Sequence, residues 1–126
     1  MFNIAVHFEI PVTDMARATA FYRQVFGIEF ELTEIDGNEM ALFPLTKGGE
    51  GCSGALAKGE SYVPSLDGTR IYLAISEIER VMATALQAGA GELYPVTRVG
   101  DGIKVAEFQD LEGNRIALQE TRPPQV

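Results

Sequence analysis

His7 is the only histidine of the chain, and Glu9 stands two positions beyond it. On a strand, residues two apart share a face. An imidazole and a carboxylate held side by side can move protons or grip a small polar ligand. The surrounding residues supply such a strand. From Phe2 to Val12 the chain alternates, with Ile4, Val6, Phe8 and Ile10 on one side and Asn3, Ala5, His7, Glu9 and Pro11 on the other. This pattern predicts a half-buried strand whose apolar side meets a helix and whose far side presents His7 and Glu9.

Other reactive residues offer less. Cys52 is the single cysteine, so the chain has no intrachain disulfide and no cysteine metal cluster. It lies in the stretch GGEGCSGA with no neighbouring base to activate it. Gly48, Gly49 and Gly51 make no phosphate loop, because no lysine-serine pair opens a helix after them. They read as a flexible rim, and Lys58 to Pro64, with Tyr62, as a second one.

A length of 126 residues suits one compact domain or two very small fused modules. Hydrophobic content of 46% beside 22% charged residues predicts a real core. The net charge of −8 argues against nucleic acid, which needs a basic footprint, and leaves room for a cationic ligand. No apolar run approaches the roughly 20 residues that span a bilayer. The start MFNIAVHFEI lacks the basic opening and cleavage site of a secretory signal, so a cytoplasmic protein is expected.

The elements that would position His7 and Glu9 follow in order. Thr13 or Asp14 can cap a helix from Met15 to about Phe26, with Met15, Ala18, Phe21, Tyr22 and Val25 as its apolar stripe and Gly27 as its stop. Strands are expected over Ile28–Ile35 and Glu39–Leu45, joined at Asp36-Gly37 or Gly37-Asn38, and over Ser53–Lys58. The stretch 59–68 reads as a linker. The order then repeats: a strand over Thr69–Ser76, a helix over Glu77–Ala88 with Ile78, Val81, Met82, Ala85 and Leu86 as its stripe, and strands over Glu92–Val99, Ile103–Phe108 and Arg115–Glu120. The tail TRPPQV should be irregular.

A shift of 63 residues lays PVTDMARATAFYRQVFGIEF on AISEIERVMATALQAGAGEL with four identities in twenty positions. Together with the repeated order of elements, it points to a duplicated βαβββ module, the first over 1–60 and the second over 68–121, within a single domain. Under this shift His7 corresponds to Arg70 and Glu9 to Tyr72. In the second copy Ile71, Leu73 and Ile75 should face the helix while Arg70, Tyr72 and Ala74 face away. The last strand repeats this, with Ile116 and Leu118 against Arg115, Ala117 and Gln119. The expected architecture is α+β: two pseudo-symmetric modules whose mixed sheets curl into a cup lined by His7, Glu9, Arg70, Tyr72 and Gln119.

The run VHFEIPVTDMARATAFYRQVFGIEF, the stretch GGEGCSGALAKG and the terminal FQDLEGNRIALQE resemble the vicinal oxygen chelate superfamily, which includes glyoxalase I, bleomycin-resistance proteins, fosfomycin-resistance enzymes and extradiol dioxygenases. The resemblance implies a cup-shaped pocket and a homodimer. It also implies a metal site whose first ligand His7 matches. The other three places fall near Gly54-Ala55-Leu56-Ala57, at Arg70, and at Ala117, the fourth residue after the turn glycine. Neither an apolar strand nor a guanidinium suits a divalent ion. Two functions compete. One is metal-independent binding of a small molecule. The other is a glyoxalase-type lyase, isomerase or dioxygenase with nickel, zinc, manganese or iron at a rearranged site around His7 and Glu9. In the second, His7 and Glu9 form the acid–base pair while Arg70, Tyr72 and Gln119 hold the substrate. In both, Arg70 either pairs with Glu9 or grips an anionic ligand group.

Overall fold

The strand that carries His7, β1, runs over His7–Pro11 and lies parallel to β4, Ser53–Lys58. Between them come helix α1 (Met15–Phe26) and the antiparallel pair β2 (Glu31–Ile35) and β3 (Asn38–Leu42), giving a sheet of order β1-β4-β3-β2. These elements belong to the first of two compact units, Met1–Pro64 and Ser65–Val126, in a computed structural model that describes residues 3–121.

Local chemistry explains each element. Asp14 caps α1 by accepting a hydrogen bond from the Arg17 amide at 3.0 Å, and Gly27 ends it in the left-handed conformation that glycine takes without cost. Asp36 and Gly37, with φ of 53° and 78°, form the two-residue turn whose twist suits a hairpin. The stripe Met15, Ala18, Phe21, Tyr22 and Val25 is buried with Ile10, Val12 and Leu56. Phe43 ties this core together, its ring lying 5.4 Å from that of Phe8, 6.1 Å from Tyr22 and 4.9 Å from Phe30. Strands β1 and β4 approach so closely that a Cβ at Gly54 would overlap the Phe8 carbonyl oxygen.

The second unit repeats the plan with β5 (Tyr72–Ala74), α2 (Ile78–Gln87), β6 (Gly91–Gly100), β7 (Ile103–Gln109) and β8 (Arg115–Thr121) in the order β5-β8-β7-β6. Each unit thus has one helix and a mixed four-stranded sheet with equivalent connections, the pseudo-symmetric α+β arrangement expected. The helices begin at Met15 and Ile78, keeping the 63-residue offset. Ile78, Val81, Met82 and Ala85 are buried with Ala106, Phe108, Ile116 and Leu118. Glu77 precedes α2 in a left-handed conformation and makes no side-chain cap. Glu120 takes that role from β8, accepting from the Ile78 amide at 2.8 Å.

The structure corrects several expectations. The first strand does not include the described residues 3–6: it starts at His7, opposite the first residue of β4, Ser53. Ile4 is 96% exposed and Val6 74%, because alternation without a partner strand buries nothing. Residue 2 lies outside the described residues, as do residues 122–126 of the tail. Of the expected strand over Thr69–Ser76 only Tyr72–Ala74 pairs, since only Ala117–Gln119 of β8 runs beside it. Ile71 is therefore exposed rather than packed against α2, and Leu86 lies exposed near the end of that helix. The strand expected over Ile28–Ile35 is trimmed to Glu31–Ile35, and that expected over Glu39–Leu45 runs over Asn38–Leu42, starting one residue earlier and ending three earlier.

Candidate functional site

In the first unit, Phe8 and Ile10 point to the α1 side, so His7 and Glu9 stand on the other face. Register places Ala55 beside Glu9 and Leu42, and Ala57 beside Pro11 and Met40. These neighbours form an apolar floor: Met40, Ala55 and Ala57 are buried together, with Leu42 and Tyr62 packed against them. Glu9 stands at its edge as a double acceptor. Its Oε2 lies 3.3 Å from His7 Nε2, and its Oε1 accepts from the Tyr62 hydroxyl at 2.6 Å.

Tyr62 is brought there by the turn after β4, where its amide donates to the Gly59 carbonyl at 3.1 Å. The hydrogen bond to Glu9 raises the Tyr62 hydroxyl above its usual value near 10.0, and the carboxylate's negative charge further opposes a phenolate. At neutral pH Tyr62 is therefore a hydrogen-bond donor to Glu9. His7 is half-exposed, and it is hydrogen-bonded to Glu9 when Nε2 carries the neutral ring's proton or ion-paired when the ring is charged.

On the second unit the face away from α2 has different chemistry. A row across the sheet runs Tyr72, Ala117, Glu107, Tyr94, and the next runs Ala74, Gln119, Val105. The Glu107 side chain is only 7% exposed and meets two guanidinium groups: Arg115 Nη1 donates to Oε1 at 2.5 Å, and Arg70 Nη1 donates to Oε2 at 3.3 Å. Arg115 is also held by its Nε, which donates to the Leu66 carbonyl at 3.2 Å.

His7 and Glu9 thus come together as their spacing implies, and Tyr62 joins them. Arg70 pairs with Glu107, not with Glu9. Tyr72 lies in register with Ala117, and Gln119 donates its amide to the Thr121 hydroxyl at 3.2 Å. His7 and Glu9 belong to the first unit; Arg70, Tyr72 and Gln119 belong to the second. Glu107 escaped the sequence reading. Its signal was a lone charge in the run Val105-Ala106-Glu107-Phe108, on the face that a β7–β8 hairpin shares with Arg115.

Residues 5–44 match a family described as bleomycin resistance protein-like N-terminal. A glyoxylase-like domain-containing protein of Didymella fabae is 29% identical over 119 residues, covering 91% of each chain. A glyoxalase family protein from Bacillus cereus superposes with a TM-score of 0.71 at 16% identity, over 94% of each chain. A fosfomycin resistance protein from Listeria monocytogenes does so with a TM-score of 0.68 at 18% identity, over 100% of this chain and 97% of that one. These likenesses show the fold that the chain shares with glyoxalase and fosfomycin-resistance proteins, two four-stranded mixed sheets each with one helix.

The residues present do not fit the metal site that the resemblance implies. His7 matches the first implied place, with Glu9 beside it, but the other three fall on the apolar Gly54-Ala55-Leu56-Ala57, on the Arg70 cation and on the fully buried methyl of Ala117. Among the described residues no group of three or more His, Cys, Asp or Glu side chains could hold a metal ion.

Proposed function

We propose that the protein binds a small organic molecule on the sheet faces turned away from the helices, without a divalent metal. The observation that carries this reading is Glu9, a carboxylate gripped by two donors at the edge of an apolar floor. Binding sites commonly combine mostly apolar walls with a few fixed polar groups. A ligand donor could take the place of Tyr62 on Glu9, while the Tyr62 ring turns aside to uncover Met40, Ala55 and Ala57. On the second unit's own face, Arg70, Tyr72 and Gln119 are the polar candidates in this reading. The working form is a homodimer in the cytoplasm, with neither nucleic acid nor membrane as a partner; the described residues contain no helix long and apolar enough to cross a bilayer.

The test is a thermal-shift screen of small organic molecules against the full chain, with and without EDTA, followed by calorimetry. A ligand should raise the melting temperature equally in both conditions, and Glu9→Gln should weaken its affinity at least tenfold. The His7–Glu9 pair favours a second reading, a metal-dependent lyase, isomerase or dioxygenase. Stoichiometric binding of nickel, zinc, manganese or iron that is lost in His7→Ala would overturn the metal-free reading in favour of this one. The Listeria monocytogenes relative has been crystallised with Mn(II), so manganese is the first ion to titrate.

A further inference from the structure

We propose that the second unit carries an oxyanion site in which Arg70, beside a buried Glu107–Arg115 pair, grips a carboxylate or phosphate-type group of the ligand. Glu107 is nearly inaccessible, and Arg115 alone is enough to neutralise it: the two are in direct contact, and the Leu66 carbonyl fixes Arg115 from the other side. Arg70 is then a second cation on a carboxylate that already has one. Its contact is the longer of the two, 3.3 Å through Nη1 alone, and its side chain is 47% exposed. The cluster therefore carries a local charge of +1 within a chain of net charge −8. A guanidinium held by one nitrogen still has donors in a planar fork, the geometry that matches two oxygens of an oxyanion.

The surroundings agree. Ala117 is fully buried and lies in register with both Tyr72 and Glu107, so no bulky side chain stands between them. Tyr72 is half-exposed on the same face. Its ring can flank an organic anion whose charged end meets Arg70. A purely structural ion pair would explain Arg115, but it leaves the outward half of Arg70 without a role.

This inference deepens the binding reading by naming the ligand class, yet it stands on residues of the second unit alone. Its test therefore uses simple anions rather than the unidentified ligand. At constant ionic strength, the full chain is titrated with inorganic phosphate and, separately, with acetate, with chloride as the control. Melting temperature and the NMR signal of the Arg70 Nε–H are the readouts. A saturable response to one anion should move the Arg70 signal, weaken at least tenfold in Arg70→Gln, and persist in Arg98→Gln, which removes a different exposed cation. Arg70→Lys keeps the charge without the fork; it should weaken binding several-fold and serves if the glutamine variant fails to fold. A preference for acetate identifies a carboxylate ligand, and a preference for phosphate a phosphate-type one. Absence of saturation, or equal loss in Arg70→Gln and Arg98→Gln, would overturn the site. An anion response with no hit in the organic screen would leave this site standing while the wider binding reading fails.

Discussion

Replacing Glu107 by glutamine should destabilise the protein by about 2 kcal/mol. Removing one partner of a buried ion pair costs roughly 3–5 kcal/mol when the other charge stays buried. Here the stranded charges are not fully buried: Arg115 is 29% exposed and Arg70 more so, so both can recover water. Glutamine also keeps one carbonyl oxygen for Arg115, and a hydrogen bond to a charged group contributes about 1.5–3 kcal/mol. The net loss falls near 2 kcal/mol, or roughly 6–10 °C in melting temperature for a chain of this size. Arg70→Gln should cost far less, about 0.5 kcal/mol, because its pairing is longer and more exposed. Urea and thermal unfolding at pH 7, followed by circular dichroism, measure both. The reasoning fails if Glu107→Gln lies within 0.5 kcal/mol of wild type, or if Arg70→Gln is the more damaging change.

Three further outcomes are expected. Tyr62 should ionise above the usual tyrosine range in an ultraviolet pH titration, read as the difference between wild type and Tyr62→Phe, with Glu9→Gln bringing it back down; because its folded value is raised, the stabilisation it gives is complete below pH about 10 and lost as pH rises through the folded value. Asp110→Ala should cost about 2–3 kcal/mol, since the buried Asp110 carboxylate accepts from the Glu112 and Asn114 amides at 2.9 and 2.8 Å and from Asn114 Nδ2 at 3.1 Å; denaturant midpoints unchanged from wild type would refute it. Gly54→Ala should cost about 1–3 kcal/mol by forcing β1 and β4 apart at Phe8, and a variant as stable as the parent would show that the strands can part freely.

Much of the fold was legible because its determinants are local. The stripe of α1 and the stop at Gly27 depend on residues a turn or two apart, and all five predicted stripe residues are buried. Strand limits were not legible in this way. The alternation through Ile4 and Val6 is as regular as that through Phe8 and Ile10, but a strand is as long as its partner allows, and β4 starts at Ser53. The site divides similarly. His7 and Glu9 needed only a two-residue spacing, whereas the Tyr62–Glu9 bond joins residues 53 positions apart and the Arg70–Glu107 bond residues 37 apart. Only the β7–β8 hairpin gave Glu107 a traceable route, since its turn sets Glu107 against Ala117 and so diagonal to Arg115.

The two modules show where a duplicated fold can change. Positions facing the helices stayed apolar in both copies, Ile10 and Val12 in one, Ile116 and Leu118 in the other, because a polar group there would lose water without gaining a partner. The opposite faces carry no such constraint, and there the copies parted: His7 corresponds to Arg70, and Glu9 to Tyr72. The first unit sets a carboxylate outward with two donors on it. The second buries its carboxylate and turns a guanidinium outward. One module's face therefore accepts hydrogen bonds where the other's donates them. Ala117→Glu would place a new carboxylate beside Glu107, where the like charge works against it and Arg70 becomes the cation that both carboxylates compete for.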